Sequence, residues 1–274
     1  MISKCLFPAA GYGTRFLPAT KAVPKEMLPI LTKPLLQYGV EEAIASGINN
    51  MAIVTGRGKR SIEDHFDNSY ELESQLLGTP KEYLLNEIKE IIEKATFTYV
   101  RQQKMLGLGH AILAGKPLIG NKAFAVILAD DLCVTEKEGV LSQMIEVYKK
   151  YKCSIIAIEE VPIDQAHKYG IIKGNMIDDQ IYQVTDMVEK PENPHSNLAI
   201  IGRYILTPDI FEIIKQVRPD NNGEIQLTDA LLQQVKKGGV IAYKFNGKRY
   251  DCGGIKGYLQ AINHFAKKID INDF

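Results

Sequence analysis

A glycine-rich segment near the start of the chain has the residue types that bind phosphate. Gly11 and Gly13 permit tight backbone turns with exposed amides, which can approach a phosphate or a base closely. Arg15 adds a fixed positive charge. The two glycines alone are also compatible with a simple turn after a strand, because Phe16 stands where the dinucleotide fingerprint requires a third glycine, and the Walker pattern is absent.

Further charged residues follow within a stretch that prolines stiffen. Lys21, Lys25 and Glu26 come soon after the arginine, and prolines occupy positions 18, 24 and 29. Because proline restricts the backbone, these side chains would be held over the strand ends, where open α/β sheets bind their ligands. We therefore interpret the charges as part of a site rather than as solvated surface charge, with Lys21 the weakest candidate.

Two carboxylates follow an apolar stretch in the middle of the sequence. Asp130 comes directly after residues 123–129, which have the pattern of a buried strand. Its side chain would emerge at the carboxyl end of that strand, where oxygen ligands could hold a hard cation. Asp131 is the competing candidate, since neighbouring side chains point to opposite faces of a strand and would not bind one ion equally.

The elements that position these residues follow from hydrophobic periodicity. Stretches rich in Val, Ile, Phe and Tyr predict strands at 2–7, 51–55, 96–100, 123–129 and 153–158. Amphipathic segments predict helices at 35–45, 80–94, 110–118 and 141–150. This alternation indicates a largely parallel, doubly wound sheet.

The second half of the chain has a different pattern of predicted elements. Short strands are predicted at 170–173, 180–190, 198–206 and 240–245, and helices at 209–217, 227–237 and 255–268. The consecutive short strands indicate an antiparallel or mixed section. Since no linker or repeat marks a boundary, we predict one α/β domain over residues 1–274. Its fold would be Rossmann-like and three-layered, with a central mixed, mostly parallel sheet and a small antiparallel region.

Residues 69–94 contain two helical patterns without a strand between them, broken by Gly78 and Pro80. Such a segment could be a lid or a subunit contact. A surface helical hairpin that covers the sheet explains the pattern equally well, and the sequence does not separate these alternatives.

Composition excludes several classes of protein. The 274 residues are 45% hydrophobic and 24% charged, as in ordinary globular proteins. Lys plus Arg equals Asp plus Glu at 33 each, so no overall positive field attracts nucleic acid or an anionic membrane. The four cysteines lie far apart, which favours reduced thiols, and no apolar run is long enough to span a membrane. We expect a soluble, cytoplasmic protein that binds neither nucleic acid nor membranes.

Common hydrolase signatures are also absent. The five histidines show no His-Glu-x-x-His spacing, and no Gly-x-Ser-x-Gly motif occurs. These absences disfavour a zinc hydrolase and a serine hydrolase.

The N-terminal motif resembles that of bacterial sugar-nucleotide pyrophosphorylases, in particular their uridylyl branch. It reads Gly-x-Gly-Thr-Arg-x-Leu-Pro-x-Thr-Lys-x-x-Pro-Lys-Glu-Met-Leu-Pro over residues 11–29 and is highly specific. Shorter blocks follow in the family's order and extend the resemblance over nearly the whole chain, at 101–103, 106–111, 128–131, 169–170, 188–191, 224–229 and 250–253.

The resemblance implies a reaction in which UTP and glucose 1-phosphate give UDP-glucose and pyrophosphate, with Mg²⁺. Direct in-line attack needs no protein nucleophile, only alignment of the sugar phosphate and neutralisation of the departing pyrophosphate. Residues up to about 135 would form the nucleotide-binding part, and the remainder the sugar-phosphate-binding part.

The resemblance also implies roles for individual residues. Arg15 and Lys25 would contact the triphosphate, and Asp130 and Asp251 would hold the metal. For Asp251, capping of the helix at 255–268 is nearly as good an explanation. The implied catalytic residues are Arg15, Lys25, Asp130 and Lys190, the implied nucleotide contacts are Ala10, Gly11, Gly13, Glu26, Gln102, Gly107 and Gly109, and the implied sugar-phosphate contacts are Gly170, Glu189 and Lys190.

Some of these assignments have simple alternatives. A glutamine amide offers a donor and an acceptor for a uracil edge. Alternation along a strand would put only one of Gln102 and Gln103 in the site, and the resemblance favours Gln102. Gly107 and Gly109 could equally form a glycine-rich helix entry. Glu26 could pair with a neighbouring lysine.

Related functions remain as alternatives at this stage. A pyrophosphorylase for dTTP would use the same glycine-rich loop and the same metal-binding carboxylates. The choice between the two bases depends on a methyl-sized space. A nucleotide-sugar-binding regulator on this fold would be expected to lose cations or carboxylates, which are all present here. A nucleotide-sugar glycosyltransferase would carry an Asp-x-Asp pair, which residues 129–131 do not form. The resemblance further implies a homo-oligomer, a dimer or a tetramer.

Overall fold

The structure is a computed structural model that describes residues 2–268. In this part of the chain the strands are β1 Lys4–Pro8, β2 Pro29–Ile30, β3 Lys33–Pro34, β4 Asn50–Thr55, β5 Thr96–Arg101, β6 Phe124–Ile127, β7 Asp131–Val134, β8 Ser154–Glu160, β9 Gly170–Asp178, β10 Ile181–Glu189, β11 Leu198–Leu206, β12 Val240–Lys244 and β13 Lys248–Asp251.

The helices alternate with these strands in the first half and are sparser in the second. They are α1 Leu35–Ala45, α2 Arg60–His65, α3 Tyr70–Leu76, α4 Asn86–Lys94, α5 Gly107–Ala114, α6 Lys116–Ile119, α7 Val140–Tyr151, α8 Ile210–Ile214, α9 Leu227–Lys236 and α10 Ile255–Ala266. Short 3₁₀ turns occur at Thr14–Phe16, Ala19–Lys21, Lys25–Met27, Glu82–Leu85 and Ile163–Lys168. No helix among residues 2–268 combines the length and apolar character needed to cross a membrane.

Nine strands form the central sheet, in the order β5-β4-β1-β6-β11-β8-β12-β10-β9. Strands β5, β4, β1 and β6 are parallel neighbours, and so are β8 and β12. Only β10 and β11 run against the direction that the other strands share. The prediction of a mixed, mostly parallel sheet is therefore confirmed.

Helices cover both faces of this sheet, because alternate residues of the central strands are apolar on both sides. Phe7 belongs to a cluster that is closed by Val40 of α1 and Met144 of α7. Leu6 points to the other face, into a cluster closed by residues of α5, α8 and α9 such as Ile112. The three-layer arrangement is confirmed.

A small antiparallel region lies beside the central sheet. Strand β13 pairs with β7, which sets Asp251 opposite Asp131, and β2 pairs with β3. Helix α10 packs on this region through Ala261, in a cluster that includes Leu132 and Tyr250. This small region therefore connects the last described helix with segments close to the N-terminal glycine-rich stretch.

Several predicted element boundaries need correction. The α-helix predicted at 80–94 begins only at Asn86, the helix predicted at 209–217 ends at Ile214, and the strand predicted at 170–173 extends to Asp178. Two further corrections concern the site. The strand predicted at 123–129 ends at Ile127, because Leu128 N leaves the strand pattern and donates to Gly202 O at 2.9 Å. Asp130 therefore lies in a turn rather than directly after a strand, and Asp131 begins β7. The helix predicted at 110–118 begins earlier, at Gly107, and divides at Gly115 into α5 and α6.

The two helices predicted within residues 69–94 are present. Helix α4 is part of the helical layer, since Ile91 is buried in the sheet cluster and Glu87 pairs with Lys33. Helix α3 leaves Tyr70 exposed, and Leu77 after it is also exposed. The covering role suits α4, whereas a lid or subunit contact at α3 stays a prediction.

Candidate active site

The loop after β1 is folded around the side chain of Lys25. Gly13 has a φ of 67°, and a Cβ at this position would lie 2.9 Å from Lys25 Cβ. Thr20 fixes the loop by donating from Oγ1 to Gly13 O at 2.7 Å. Glycine is thus required here both by the left-handed backbone and by the contact. Gly11 is exposed, and a Cβ there would lie at the ordinary distance of 3.9 Å from Lys25 Cε.

Lys25 reaches from this loop to the turn after β6. Its Nζ lies 2.5 Å from Asp130 Oδ2. Burial opposes the charge on Lys25, but the carboxylates of Asp130 and Glu26 outweigh it and raise the pKa of Lys25 to about 12. Burial also opposes the charge on Asp130, yet Lys25 holds the pKa of that carboxyl below its usual value. The pair is therefore fully ionised at neutral pH.

Asp251 and Arg15 meet Asp130 around Gly253. A Cβ on Gly253 would lie 3.1 Å from both Asp130 Oδ2 and Asp251 Oδ1, and 3.5 Å from Arg15 Nη1. Arg15 Nη1 also donates to Gly253 O at 3.3 Å. The alternative role of Asp251 as a helix cap is wrong, because Gly254 occupies the cap of α10 and no side chain caps that helix. Three predicted site residues thus lie near one glycine that received no role from the sequence, and Lys25 joins them through its bond to Asp130.

The two carboxylates fit a magnesium ion that shares its coordination with phosphate oxygens. Mg²⁺ usually takes one or two protein carboxylates together with water and substrate phosphates. Residues 2–268 hold no cluster of three His, Cys, Asp or Glu side chains that could form an all-protein metal site. Asp130 and Asp251 supply two oxygens beside the space that a side chain at Gly253 would fill. This donor set suits Mg²⁺ bound jointly with a phosphorylated ligand.

Asp131 has both carboxylate oxygens engaged by protein donors. Its Oδ1 accepts from Arg249 Nε at 2.7 Å, and its Oδ2 accepts from Gly202 N at 2.5 Å. The side chain is also buried. Of the two neighbouring aspartates, the geometry therefore favours Asp130 as the one that faces a ligand.

Arg249 is a buried cation that the sequence analysis missed. Its Nη1 lies 2.5 Å from Glu159 Oε1, and its Nη2 lies 3.6 Å from Asp251 Oδ2. The guanidinium also stacks on Tyr169, 4.9 Å from the ring centre, and the Tyr169 hydroxyl donates to Asp251 Oδ2 at 3.1 Å. Asp251 is thus oriented from two sides. One sequence feature could have pointed to Arg249, namely its position directly before the block at 250–253.

Gln102 is buried just after β5, whereas Gln103 is exposed. As predicted, one amide of the pair turns inward. Gln102 Nε2 donates to Gly107 O at 3.2 Å and lies 2.9 Å from His110 Nδ1. Gly56, after β4, lies between this segment and the loop after β1, because a Cβ there would lie 3.1 Å from both Met105 Cε and Ala10 O.

Gly107 and Gly109 allow close contact with the segment before α9. A Cβ on Gly109 would lie 2.7 Å from Ile225 O, and one on Gly107 would lie 2.9 Å from Glu224 Cβ. Gly107 also has a φ of 85°. Backbone bonds join the two segments, with Gly109 N donating to Ile225 O at 2.9 Å. Both glycines therefore have a packing reason that the sequence did not show, in addition to any contact with a nucleotide.

Glu26 is buried beside Lys25 and pairs with Lys59, whose Nζ lies 2.7 Å from Glu26 Oε2. Its other oxygen, Oε1, is buried and has no hydrogen-bond partner among residues 2–268. Burial raises the pKa of Glu26, against the lowering effect of Lys59 and Lys25. The predicted alternative, a salt bridge to a lysine, is present, but its partner is Lys59, which the sequence analysis missed.

The end of β10 forms a second polar group close to Asp251. Glu189 Oε2 accepts from Thr228 Oγ1 at 2.6 Å, and a Cβ on Gly170 would lie 3.1 Å from the same oxygen. Lys190 is half-exposed, and its Nζ lies 3.4 Å from Glu189 Oε1. Lys190 N donates to the carbonyl of Tyr169 at 3.0 Å, which joins this group to the tyrosine that holds Asp251. Thr228 is a further residue that sequence reasoning left without a role.

The fold and this arrangement of cations, carboxylates and glycines define a class of protein. The model of the nucleotidyl transferase family matches residues 6–268. The chain belongs to this family.

Similar proteins narrow the class further. A UTP–glucose-1-phosphate uridylyltransferase of Pseudomonas aeruginosa is 61% identical over 97% of this chain and 98% of its own. A crystal structure of apo-UDP-glucose pyrophosphorylase has 61% identity and a TM-score of 0.95, covering 98% of this chain and 99% of that chain. A UDP-glucose pyrophosphorylase complexed with UDP-glucose has 59% identity and a TM-score of 0.92, covering 98% of this chain and all of the other.

Proposed function

We propose that this protein transfers a uridylyl group from UTP to glucose 1-phosphate and releases pyrophosphate. The observation that carries the proposal is the gathering of Arg15, Asp130 and Asp251 around Gly253, with Lys25 bonded to Asp130. The names of relatives at about 60% identity support UTP and glucose 1-phosphate as the substrates. Retention of every predicted cation and carboxylate supports an enzyme over a non-catalytic regulator.

Bond making and bond breaking occur at one phosphorus atom. An oxygen of the sugar phosphate attacks the α-phosphorus of UTP, while the bond from this phosphorus to the bridging oxygen breaks and pyrophosphate leaves with the electron pair. Arg15 and Lys25 neutralise the charge that develops on the leaving group. Because Lys25 pairs with Asp130 in the free protein, its ammonium group is already held at the site before a nucleotide arrives.

The second polar group aligns the sugar phosphate. Lys190 supplies a compact charge for the phosphate, and Glu189 accepts hydrogen bonds from sugar hydroxyls beside Gly170. Tyr169 connects this group to Asp251, which supports a fixed separation between acceptor and nucleotide. Gln102 reads the base, and the loop of residues 10–13 and Glu26 complete the nucleotide site.

Asp130 and Asp251 would hold Mg²⁺, with phosphate oxygens completing its coordination. When bound, the ion supplies Lewis-acid stabilisation of charge on the phosphates. Asp130 and Asp251 would then bind the ion, and Lys25 and Arg15 would bind the phosphates. Asp131 takes no part, because Arg249 and Gly202 engage its oxygens.

Pyrophosphate release from the purified protein tests the proposal. UTP, dTTP, ATP and GTP are each supplied with and without glucose 1-phosphate and Mg²⁺. We expect release that requires UTP, glucose 1-phosphate and the metal together. Release with dTTP in place of UTP would keep the mechanism and overturn the base assignment. No release with any nucleotide would overturn the enzymatic proposal.

We also propose that the protein acts as a homo-oligomer, a dimer or a tetramer, in the cytoplasm. Exposed apolar side chains such as Tyr70, Leu77 and Tyr83 support self-association. Helix α3 contacts the turn at Glu82–Leu85, so these groups lie in one region of the surface, where a monomer seldom exposes large apolar groups together. Sedimentation equilibrium gives the mass of the assembly. A monomer at micromolar concentration would contradict this proposal.

A further inference from the structure

His110 contacts the one side chain that is proposed to read the base. It lies on the first turns of α5, and its Nδ1 is 2.9 Å from Gln102 Nε2. The same Gln102 nitrogen lies 3.2 Å from Gly107 O. Gln102 itself is 4% exposed, so its amide sits in a confined space.

These two contacts determine which way the Gln102 amide points. A backbone carbonyl only accepts hydrogen bonds, so the nitrogen of the amide, and not its oxygen, must face Gly107. The second N–H of the amide is then directed at His110, whose Nδ1 accepts while Nε2 carries the ring proton. Both donors of the amide are used within the protein. Among residues 2–268, Gln102 Oε1 accepts no hydrogen bond.

We propose that His110 is a positioning residue for base selection, because it holds the Gln102 amide so that only an acceptor is presented to the nucleobase. The inference rests on the proposed function, in which Gln102 contacts the base. An acceptor pairs with the imide N–H at position 3 of uracil. It repels the lone pair that cytosine carries on the same ring atom. Thymine has the same imide group as uracil, so His110 separates uracil from cytosine and leaves the choice between UTP and dTTP to other contacts.

Loss of the imidazole acceptor frees one amide hydrogen in a confined site. An unpaired buried donor raises the free energy of the folded protein, so the amide rotates toward other hydrogen-bond acceptors. Its oxygen then no longer has a fixed direction. Loss of the His110 acceptor therefore reduces the discrimination between bases. Groups that align the phosphates, such as Lys25 and Asp130, belong to other elements and keep their contacts.

Two variants of one residue test this role. His110→Phe keeps a ring of similar size but removes the acceptor, whereas His110→Asn places an amide oxygen close to the position of Nδ1 and can restore the bond. We measure kcat and KM for UTP and for CTP at saturating glucose 1-phosphate, together with the Kd values of UDP and CDP by calorimetry.

In His110→Phe we expect the ratio of kcat/KM for UTP to that for CTP to fall roughly 10- to 100-fold, mainly through KM for UTP. The UDP to CDP affinity ratio should fall in parallel, and KM for glucose 1-phosphate should stay within about twofold. His110→Asn should recover most of the discrimination. His110→Leu serves the same purpose if circular dichroism shows that His110→Phe does not fold.

Equal discrimination in wild type and His110→Phe would overturn the role of His110. A loss that His110→Asn fails to restore, or that affects UTP and CTP equally, would overturn it as well, because a merely structural role predicts that result. Failure of the proposed function has a different signature, since the wild-type protein itself would then release no pyrophosphate from UTP and glucose 1-phosphate.

Discussion

Two adjacent aspartates have opposite environments in this protein. Asp130 accepts from a lysine at the site, and its pKa lies below the usual value because of Lys25, although burial opposes its charge. Asp131 is engaged by Arg249 and by Gly202 N, and burial raises its pKa. A difference of one position along the chain therefore separates the aspartate that we propose to face a ligand from one whose oxygens are both engaged by the protein.

Replacement of each aspartate by asparagine should separate these roles. Asp130→Asn should lower kcat on the order of 100-fold or more, because a preorganised charge at the reacting phosphates is lost, and it should also weaken the ion pair with Lys25. Asp131→Asn should instead reduce the free energy of unfolding by roughly 1–3 kcal/mol, because a buried bond to Arg249 or Gly202 is weakened. Pyrophosphate release and urea unfolding measure the two effects. The reverse ranking in turnover would show that Asp131 is the metal ligand.

Gly253 should be intolerant of a side chain for a chemical reason. In Gly253→Ala the new methyl group would lie 3.1 Å from two carboxylate oxygens, in the space where an ion and phosphate oxygens are proposed to bind. We expect turnover to fall roughly 100-fold and the Mg²⁺ concentration for half-maximal activity to rise, while the melting temperature stays near that of wild type.

The control for this variant is the next residue. Gly254→Ala makes the same chemical change at a position with nothing within 4 Å of the added atom. It should retain most activity. Equal losses in the two variants would mean that backbone freedom, and not the space beside the carboxylates, is what the site requires.

The ion pair of Lys25 and Asp130 should make a pH-dependent contribution to stability. The folded-state pKa of Lys25 is raised from 10.5 to about 12, so its contribution is complete below pH 10.5 and is lost as pH rises through about 12. The pKa of Asp130 is lowered from 3.8, so its contribution is complete above that value and is lost as pH falls further.

Unfolding of Lys25→Met across pH tests this expectation. Its destabilisation relative to wild type should be constant between about pH 5 and 9 and should shrink at both extremes. Lys21→Met, on an exposed part of the same loop, should show no such dependence. A destabilisation that changes steadily through neutral pH would contradict the assigned ionisation states.

At the scale of elements, the site depends on how α5 meets the segment before α9. Gly109→Ala would place a methyl group 2.7 Å from Ile225 O and force the two segments apart. We expect a loss of about 1–3 kcal/mol in the free energy of unfolding, together with weaker binding of UTP, since Gln102 bonds to the same turn.

Gly239→Ala is the matched control, because its nearest contact would be an ordinary 3.6 Å from Gln234 O. It should change stability by no more than about 0.5 kcal/mol. If Gly109→Ala is equally mild in urea unfolding, then the contact between α5 and the segment at 224–226 is not a constraint on the fold.

Local patterns predicted the order of most elements but not their ends. The periodicity of residues 123–129 correctly identified a buried strand, yet its last residues are diverted by a bond from Leu128 N to Gly202 O, far along the chain. Such a bond leaves no trace in the local sequence. For this reason Asp130 was assigned to a strand end although it lies in a turn.

The residues of the candidate site also differ in how readily the sequence identifies them. Arg15, Lys25 and Asp130 belong to dense, specific motifs, so the sequence could select them as candidates, and the structure places them close together. Lys59 and Arg249 could not, because each acquires its role from a buried carboxylate partner that lies distant in the sequence. In this chain the sequence identified the candidate ligand contacts more readily than the buried cations that pair with their neighbouring carboxylates.

At the scale of the whole molecule, a buried ion pair ties three parts of the fold together. Arg203 on β11 is almost fully buried and donates to both oxygens of Glu42 on α1. Glu42 also accepts from Leu141 N at the start of α7, at 3.0 Å. The central sheet and two covering helices therefore depend on one charged pair.

Arg203→Met should lower the free energy of unfolding by about 3–5 kcal/mol, because Glu42 is left as an uncompensated buried charge. The double variant with Glu42→Leu should recover part of this loss. A double-mutant cycle in urea gives the coupling energy. Additive effects of the two changes would show that the pair contributes no net interaction.

The bond from Arg15 to Gly253 spans 238 positions of the chain. A ribosome that adds about 5–20 residues per second therefore completes the glycine-rich loop tens of seconds before it makes the partner of that loop. Throughout this interval the growing polypeptide carries the cations proposed to bind phosphate, Arg15 and Lys25, without Asp251 and Gly253. Under the proposed function, a chain that ends before Asp251 lacks one of the two carboxylates that would hold the metal. We therefore expect products of premature termination not to turn over UTP.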